Sequence, residues 1–135
     1  MNLVITNGGI KSPDRANCTI RALALTASLP YETADKIGKE AGRKKNCGFN
    51  PYKLLRKAKG YGIKTNKLKY RSITIQKFLT KHPTGRYYAT TNCHAFAVIN
   101  GSIHDNVIAK PLQRIVNVWR VESNRLNMLR ETQSF

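Results

Sequence analysis

Cys18, His94 and Asp105 are the residues whose types and order in this sequence suit covalent chemistry. Cys18 heads CTIRALALTAS, an Ala- and Leu-rich run that predicts a helix over residues 18–28. A thiol at a helix N-terminus meets the positive end of the macrodipole, which favours the nucleophilic thiolate. The competing reading of Cys18 is a buried structural cysteine. His94 opens the alternating run HAFAVI, in which His94, Phe96 and Val98 share one face and Ala95, Ala97 and Ile99 the other. There it is either a general base or a polar residue satisfied at a strand end. Asp105 follows the dipeptide Asn100-Gly101, the strongest short hairpin signal in the chain. A two-residue turn there sets Ile99 opposite Ser102, Val98 opposite Ile103 and Phe96 opposite Asp105. Asp105 then lies on the His94 face, diagonal to the ring, where a carboxylate orients an imidazole and stabilises its cation. Asn106 is the competing orienter, and this register puts it on the other face.

These residues need elements to hold them. Ile20, Leu23, Ala24 and Ala27 recur at helical spacing and predict the core face of the first helix, with Asp14 or Asn17 as its cap. Pro30 closes that helix and opens a second, YETADKIGKEAG, running to about Gly42. Asn50-Pro51 reads as the N-cap and first position of a third helix, PYKLLRKAK, ended by Gly60. Residues 61–70 look extended, and a short helix over 74–81 ends before Pro83. Beyond it RYYATT, HAFAVI, SIHDNVI and RIVNVWRVE read as strands. Helices first and an antiparallel sheet second is an α+β order. Residues 1–125 are expected to form one domain and 126–135 a polar tail.

Composition narrows the function classes. The chain has 135 residues, 41 % of them hydrophobic, which suits one globular core and excludes a disordered polymer. No apolar run approaches the roughly 20 residues that span a bilayer, and MNLVITNGGIKSPDR lacks the pattern of a secretory signal. No membrane partner is expected, and the expected compartment is the cytoplasm. Three cysteines, Cys18, Cys47 and Cys93, do not make a disulfide framework. Cys93, His94, His104 and Asp105 are metal-type ligands, but Cys93 and His94 would point to opposite faces of a strand. No metal and no cofactor is therefore expected.

The net charge is +17, from 24 basic and 7 acidic residues. That field attracts polyanions, whether nucleic acid or an acidic protein, and otherwise serves solubility. Tyr52, Tyr61, Tyr70, Tyr87 and Tyr88 are interleaved with Lys and Arg, as in KLKYR and GRYY. Such interleaving suits base stacking on single strands and equally suits ordinary strands. Arg21, three residues after Cys18, lies near its face of the helix. It is read as a structural ion pair with Asp14 or Glu40, or else as a holder of a substrate carboxylate or a charge that raises the thiolate fraction of Cys18.

The stretch ANCTIRALALTASLPYETADKIGKEAG resembles the nucleophile helix of small papain-like proteins of bacteriophages and bacteria, with their D/N-C-x-x-R-A-L segment and Pro-Tyr-Glu helix start. HPTGRYYATTNCHAFAVINGSIHDN is similar to their second half, where a G-R-Y/F strand leads into a G-H-A-x-A-V-x-D/N-G strand pair ending in Asp. The two stretches cover roughly 50 of the 135 residues, in the family's order. Two departures stand out: Cys93 replaces the glycine that often precedes the histidine, and no Gln stands clearly upstream of Cys18.

The resemblance implies a papain-like cysteine hydrolase fold, with N-terminal helices packed on a C-terminal antiparallel sheet. It implies Cys18 as nucleophile, His94 as general base and Asp105 as orienter. Asn17 and the Cys18 backbone N–H are the candidate oxyanion donors. The expected function is a peptidase or isopeptidase, phage-encoded and acting on a host protein or peptide in the host cytoplasm. The alternative is an inactive papain-like scaffold that binds nucleic acid or an acidic host protein through its basic surface.

Overall fold

The computed structural model describes residues 2–10 and 15–123. Asp14 and the expected 126–135 tail lie outside the described residues. The architecture is mixed α and β, with a six-stranded, mostly antiparallel sheet in the order β1-β6-β5-β4-β8-β2. These strands are β1 (Asn2–Ile5), β2 (Ile63–Lys67), β4 (Arg86–Thr90), β5 (Ala95–Ile99), β6 (Ser102–Asp105) and β8 (Asn117–Ser123). A two-stranded ribbon pairs β3 (Ile73–Thr74) with β7 (Arg114–Ile115).

The helices are α1 (Cys18–Thr26), α2 (Tyr31–Ala41), α3 (Pro51–Lys59) and α4 (Ile75–Lys81). Local chemistry explains their ends. Gly42 closes α2 in the left-handed region at φ 112°. The Asn50 side chain accepts hydrogen bonds from the Tyr52 and Lys53 N–H groups, with Pro51 at the first position of α3.

Alternation divides the strands between two cores. On one sheet face Tyr88, Ala95, Trp119 and Val121 pack with α1, α2 and α3 around Ile20, Leu23, Ile37 and Leu54. On the other, Tyr87, Phe96, Val98, Ile103 and Val118 pack with Phe78 of α4 and with the ribbon. Each fully buried Leu, Ile, Val or Phe side chain contributes about 1.5–3 kcal/mol of transfer free energy.

Two expectations about the sheet are corrected. It is not confined to the C-terminal half, because β2 joins it beside β8, at the edge away from β1. Nor is it wholly antiparallel, because β1 lies parallel to β6, with Ile5 opposite Asp105. The run NLVI is short and shows no apolar–polar alternation that marks a strand; pairing with β6 supplies its hydrogen bonds. The run RIVNVWRVE also breaks at Val116, whose N–H bonds the Thr90 carbonyl, so its first two residues leave for the ribbon.

Helix α1 is tied to the sheet at both ends. The Tyr88 hydroxyl donates to the Thr19 carbonyl at 3.0 Å. The Arg86 guanidinium donates to the Leu25 and Thr26 carbonyls at 3.0 and 3.3 Å, satisfying C-terminal acceptors that helix geometry leaves open. Cys18 is thereby held over the start of β5.

Candidate active site

The Asn100-Gly101 turn has φ values of 48° and 77°, and it sets the expected register of Ile99 with Ser102 and Val98 with Ile103. That brings Asp105 to His94. The imidazole Nε2 meets Asp105 Oδ2 at 2.6 Å. His94 itself lies just before β5, and its carbonyl accepts from the Thr91 N–H, closing the turn that carries Asn92 and Cys93. With Nε2 engaged, Nδ1 is the ring's other nitrogen, and His94 and Cys18 line the same cleft within electrostatic reach of each other. The Ala95 N–H also favours the thiolate.

The electrostatics follow from this line of groups. Burial pushes the Cys18 thiol up, but the His94 hydrogen bond, the Ala95 N–H and the charges of His94 and Arg21 more than offset it. The thiol pKa therefore lies below its ordinary value. His94 is raised from 6.5 to about 9, first by the hydrogen bond to Asp105 and next by that to Cys18, with burial opposing. Below about 9 and above the lowered thiol value, the pair is a thiolate beside an imidazolium.

Asp105 is 2 % exposed, and both of its carboxylate oxygens are engaged. Its Oδ1 accepts from Arg21 Nη2 at 3.1 Å and from the Asn106 N–H at 2.8 Å. Arg21 is thus a structural ion pair, as one reading had it, but its partner is Asp105. Of the partners expected for Arg21, Glu40 instead accepts from the Tyr61 hydroxyl, and Asp14 is not described. Gly8 makes room for Arg21: a Cβ at its φ of 70° would stand 2.6 Å from Arg21 Cγ.

Asn17 sits directly before Cys18 but does not line the cleft. Its Oδ1 accepts from Arg21 Nη1 at 2.7 Å, and its Nδ2 donates to the Tyr31 hydroxyl at 3.3 Å. The side chain makes no cap hydrogen bond to α1, so the Cys18 N–H has neither that partner nor an intrahelical one. Thr19, next in line and lining the cleft, has a buried hydroxyl without a hydrogen-bond partner.

The cleft has a volume of about 550 Å³. Cys18, Thr19, Phe49, Tyr52, Asn92 and His94 are among its lining residues. Apart from His94 its lining carries no formally charged side chain once Cys18 is a thiol. Arg43, buried in the protein, donates to the Cys47, Arg15 and Ala16 carbonyls and pairs with Asp35 at 3.5 Å, tying the loop after α2 to the segment that leads into α1. Sequence reasoning missed Arg43 and the Ala95 N–H. The first sits in a basic run, RKK, that reads as solvated surface, and the second is backbone.

The remaining candidates separate from the site. His104 alternates away from Asp105, and its pKa is lowered by burial and then by Arg86. Among the described residues no group of three His, Cys, Asp or Glu side chains has metal-binding spacing. Tyr87 and Tyr88 are 5 % and 0 % exposed, which removes GRYY from the base-stacking reading. Tyr70 is partly buried and engaged with His82. No helix among the described residues is long and apolar enough to cross a membrane. No protein-family model, curated protein or solved structure matches the chain.

Proposed function

We propose that this chain is a papain-like cysteine hydrolase that cleaves an amide bond, peptide or isopeptide, through Cys18, His94 and Asp105. One observation carries the reading: His94, bonded to the buried carboxylate of Asp105 at 2.6 Å, lines the same cleft as the Cys18 thiol and is electrostatically coupled to it. The placement of a nucleophile helix against the sheet that carries the histidine also supports it, as do the sequence motifs. A bacteriophage origin and a host protein target belong to the same reading and rest on the motifs alone.

In this mechanism the Cys18 thiolate attacks the carbonyl carbon, and the C=O electron pair moves onto oxygen. The Cys18 N–H, at the positive end of α1, stabilises that oxyanion. The His94 imidazolium gives its Nδ1 proton to the leaving amine as the C–N bond breaks, leaving a thioester. Neutral His94 then takes a proton from water, whose oxygen attacks the thioester, and the thiolate leaves. Asp105 keeps Nε2 engaged, so the ring presents Nδ1 throughout. Asn17 acts in this reading as a positioning residue, steadying Arg21 against Asp105.

Iodoacetamide labelling across pH, read by peptide mass spectrometry, tests the reading. The exposed Cys47 and Cys93 serve as internal references. Cys18 is expected to alkylate well below the usual thiol range of about 8.5, and His94→Ala is expected to abolish the advantage. Labelling of Cys18 no faster than the two references at neutral pH would overturn the proposal.

A further inference from the structure

A second groove, of about 420 Å³, opens beside the cleft between α3 and β2. Tyr52 lines both cavities. Its hydroxyl donates to Asn117 Oδ1 at 3.0 Å, and its ring meets Trp119 edge-on at 5.1 Å, so it stands as a fixed partition. The far groove is lined by Arg56 and Lys59 from α3 and by Lys64 and Asn66 from β2. Among the described residues none of these three cations has an ion-pair partner within 4.0 Å. Glu122 stands opposite Lys64 in the strand register, but its carboxylate is turned to Arg120 at 3.9 Å.

The position of Arg56 and Lys59 in the last turn of α3 also offsets the negative end of that helix. That does not account for Lys64, which comes from a different element and reaches the groove from the sheet edge, its side chain alternating with that of Ile63 toward the face that carries Glu122. Strand β2 is also the last in the sheet order, so one of its edges has no strand partner among the described residues. Such an edge offers backbone donors and acceptors to an extended chain.

We infer that this groove binds an acidic segment of the polypeptide substrate, laid along β2 and continuous with the bond presented to Cys18. Carboxylates on the segment meet Arg56, Lys59 and Lys64, and its backbone meets the open edge. An open strand edge favours an extended polypeptide over a nucleic acid, and of the groove's two rings Trp119 is 5 % exposed, which leaves Tyr52, 45 % exposed, as a single stacking surface. The inference rests on the hydrolase reading for its substrate, while its binding half stands apart from Cys18.

The test is fluorescence anisotropy with a labelled oligoglutamate peptide and a labelled oligothymidylate, using the full chain. The triple charge reversal Arg56→Glu, Lys59→Glu, Lys64→Glu is compared with Arg71→Glu, Lys77→Glu, Lys81→Glu around α4, on the opposite sheet face. The milder Arg56→Gln, Lys59→Gln, Lys64→Gln set guards against misfolding. Oligoglutamate is expected to bind wild type, to weaken about tenfold or more in both groove sets, and to be nearly unaffected by the α4 set. Equal weakening by the α4 set would reduce the effect to the overall field and overturn the inference. So would absence of oligoglutamate binding, or tighter, groove-dependent binding of oligothymidylate. Cys18 alkylation is followed in parallel. Normal alkylation with no groove effect sinks this inference alone; groove-dependent binding with an unreactive Cys18 sinks the hydrolase reading alone.

Discussion

Arg21 Nη2 lies 3.1 Å from Asp105 Oδ1, with both side chains almost wholly withdrawn from water. The same carboxylate holds His94 Nε2 through its other oxygen at 2.6 Å. One buried group thus links the charge that anchors α1 to the ring that faces the thiol. Removing one partner of a buried pair leaves an uncompensated charge, which is costlier than never having had the pair.

Asp105→Asn keeps the size of the side chain and removes its charge. It is expected to destabilise the fold by about 3–5 kcal/mol, because Arg21 stays buried without its counter-charge. It also removes the largest cause of the raised His94 pKa, so that value falls from about 9 toward 6.5. Urea unfolding and a histidine-resolved NMR titration read the two effects. A variant with wild-type stability and an unmoved His94 titration would show that the buried carboxylate has neither role.

Stability should depend on pH through His94, and Cys18→Ala isolates the effect by removing the thiol that titrates with it. In that variant Asp105 still raises the folded His94 pKa above the unfolded 6.5. The charged ring then binds its proton more tightly folded than unfolded, so its stabilisation is complete below about 6.5 and fades as pH rises through the folded value. The urea midpoint of Cys18→Ala is expected to fall as pH rises above 6.5 through the folded His94 value, which lies below the wild-type value of about 9 once Cys18 no longer raises it, and adding His94→Ala should flatten that fall. A midpoint that rises across the window would refute this account.

Thr19→Val replaces the unpartnered buried hydroxyl with a methyl of similar shape. Burying a hydroxyl without a hydrogen bond costs about 1–3 kcal/mol, so the variant is expected to match wild type or exceed it by about 1 kcal/mol. Thermal melts suffice to decide. A loss of more than about 1 kcal/mol would mean the hydroxyl has a partner in the folded chain.

Gly8 and Gly9 form a natural control pair, with φ values of 70° and 83°. An alanine at either pays the left-handed penalty of about 1–2 kcal/mol. Only at Gly8 does the added Cβ also run into Arg21, at 2.6 Å; at Gly9 nothing lies within 4 Å. Gly8→Ala is therefore expected to be the more destabilising of the two and the one that slows Cys18 alkylation. Equal effects on both readouts would sever the link from Gly8 through Arg21 to the site.

Much of the candidate site could be read from short stretches of sequence. Pro30, Gly42 and Asn50-Pro51 mark helix ends because each acts on its own backbone or on amides two or three residues away. The Asn100-Gly101 turn sets the β5–β6 register for the same reason, and the register alone delivers Asp105 to the His94 side. Cys18 at a helix start is likewise a local property. Burial and partners were not local. Arg21 and Asp105 are 84 positions apart, and which acid it meets depends on β1 and β6 lying side by side next to α1. Asn17 was the plausible cap and oxyanion donor by position, yet its amide turns to Arg21 and Tyr31, because a buried guanidinium must have its donors satisfied. Tyr87 and Tyr88 read alike in the sequence with basic neighbours, and only the sheet, covered on both faces, sends one ring into each core. Local backbone chemistry determined where the elements begin, end and turn. The tertiary structure decided which polar groups meet, because desolvated charges take whichever partners the packed layers bring within reach.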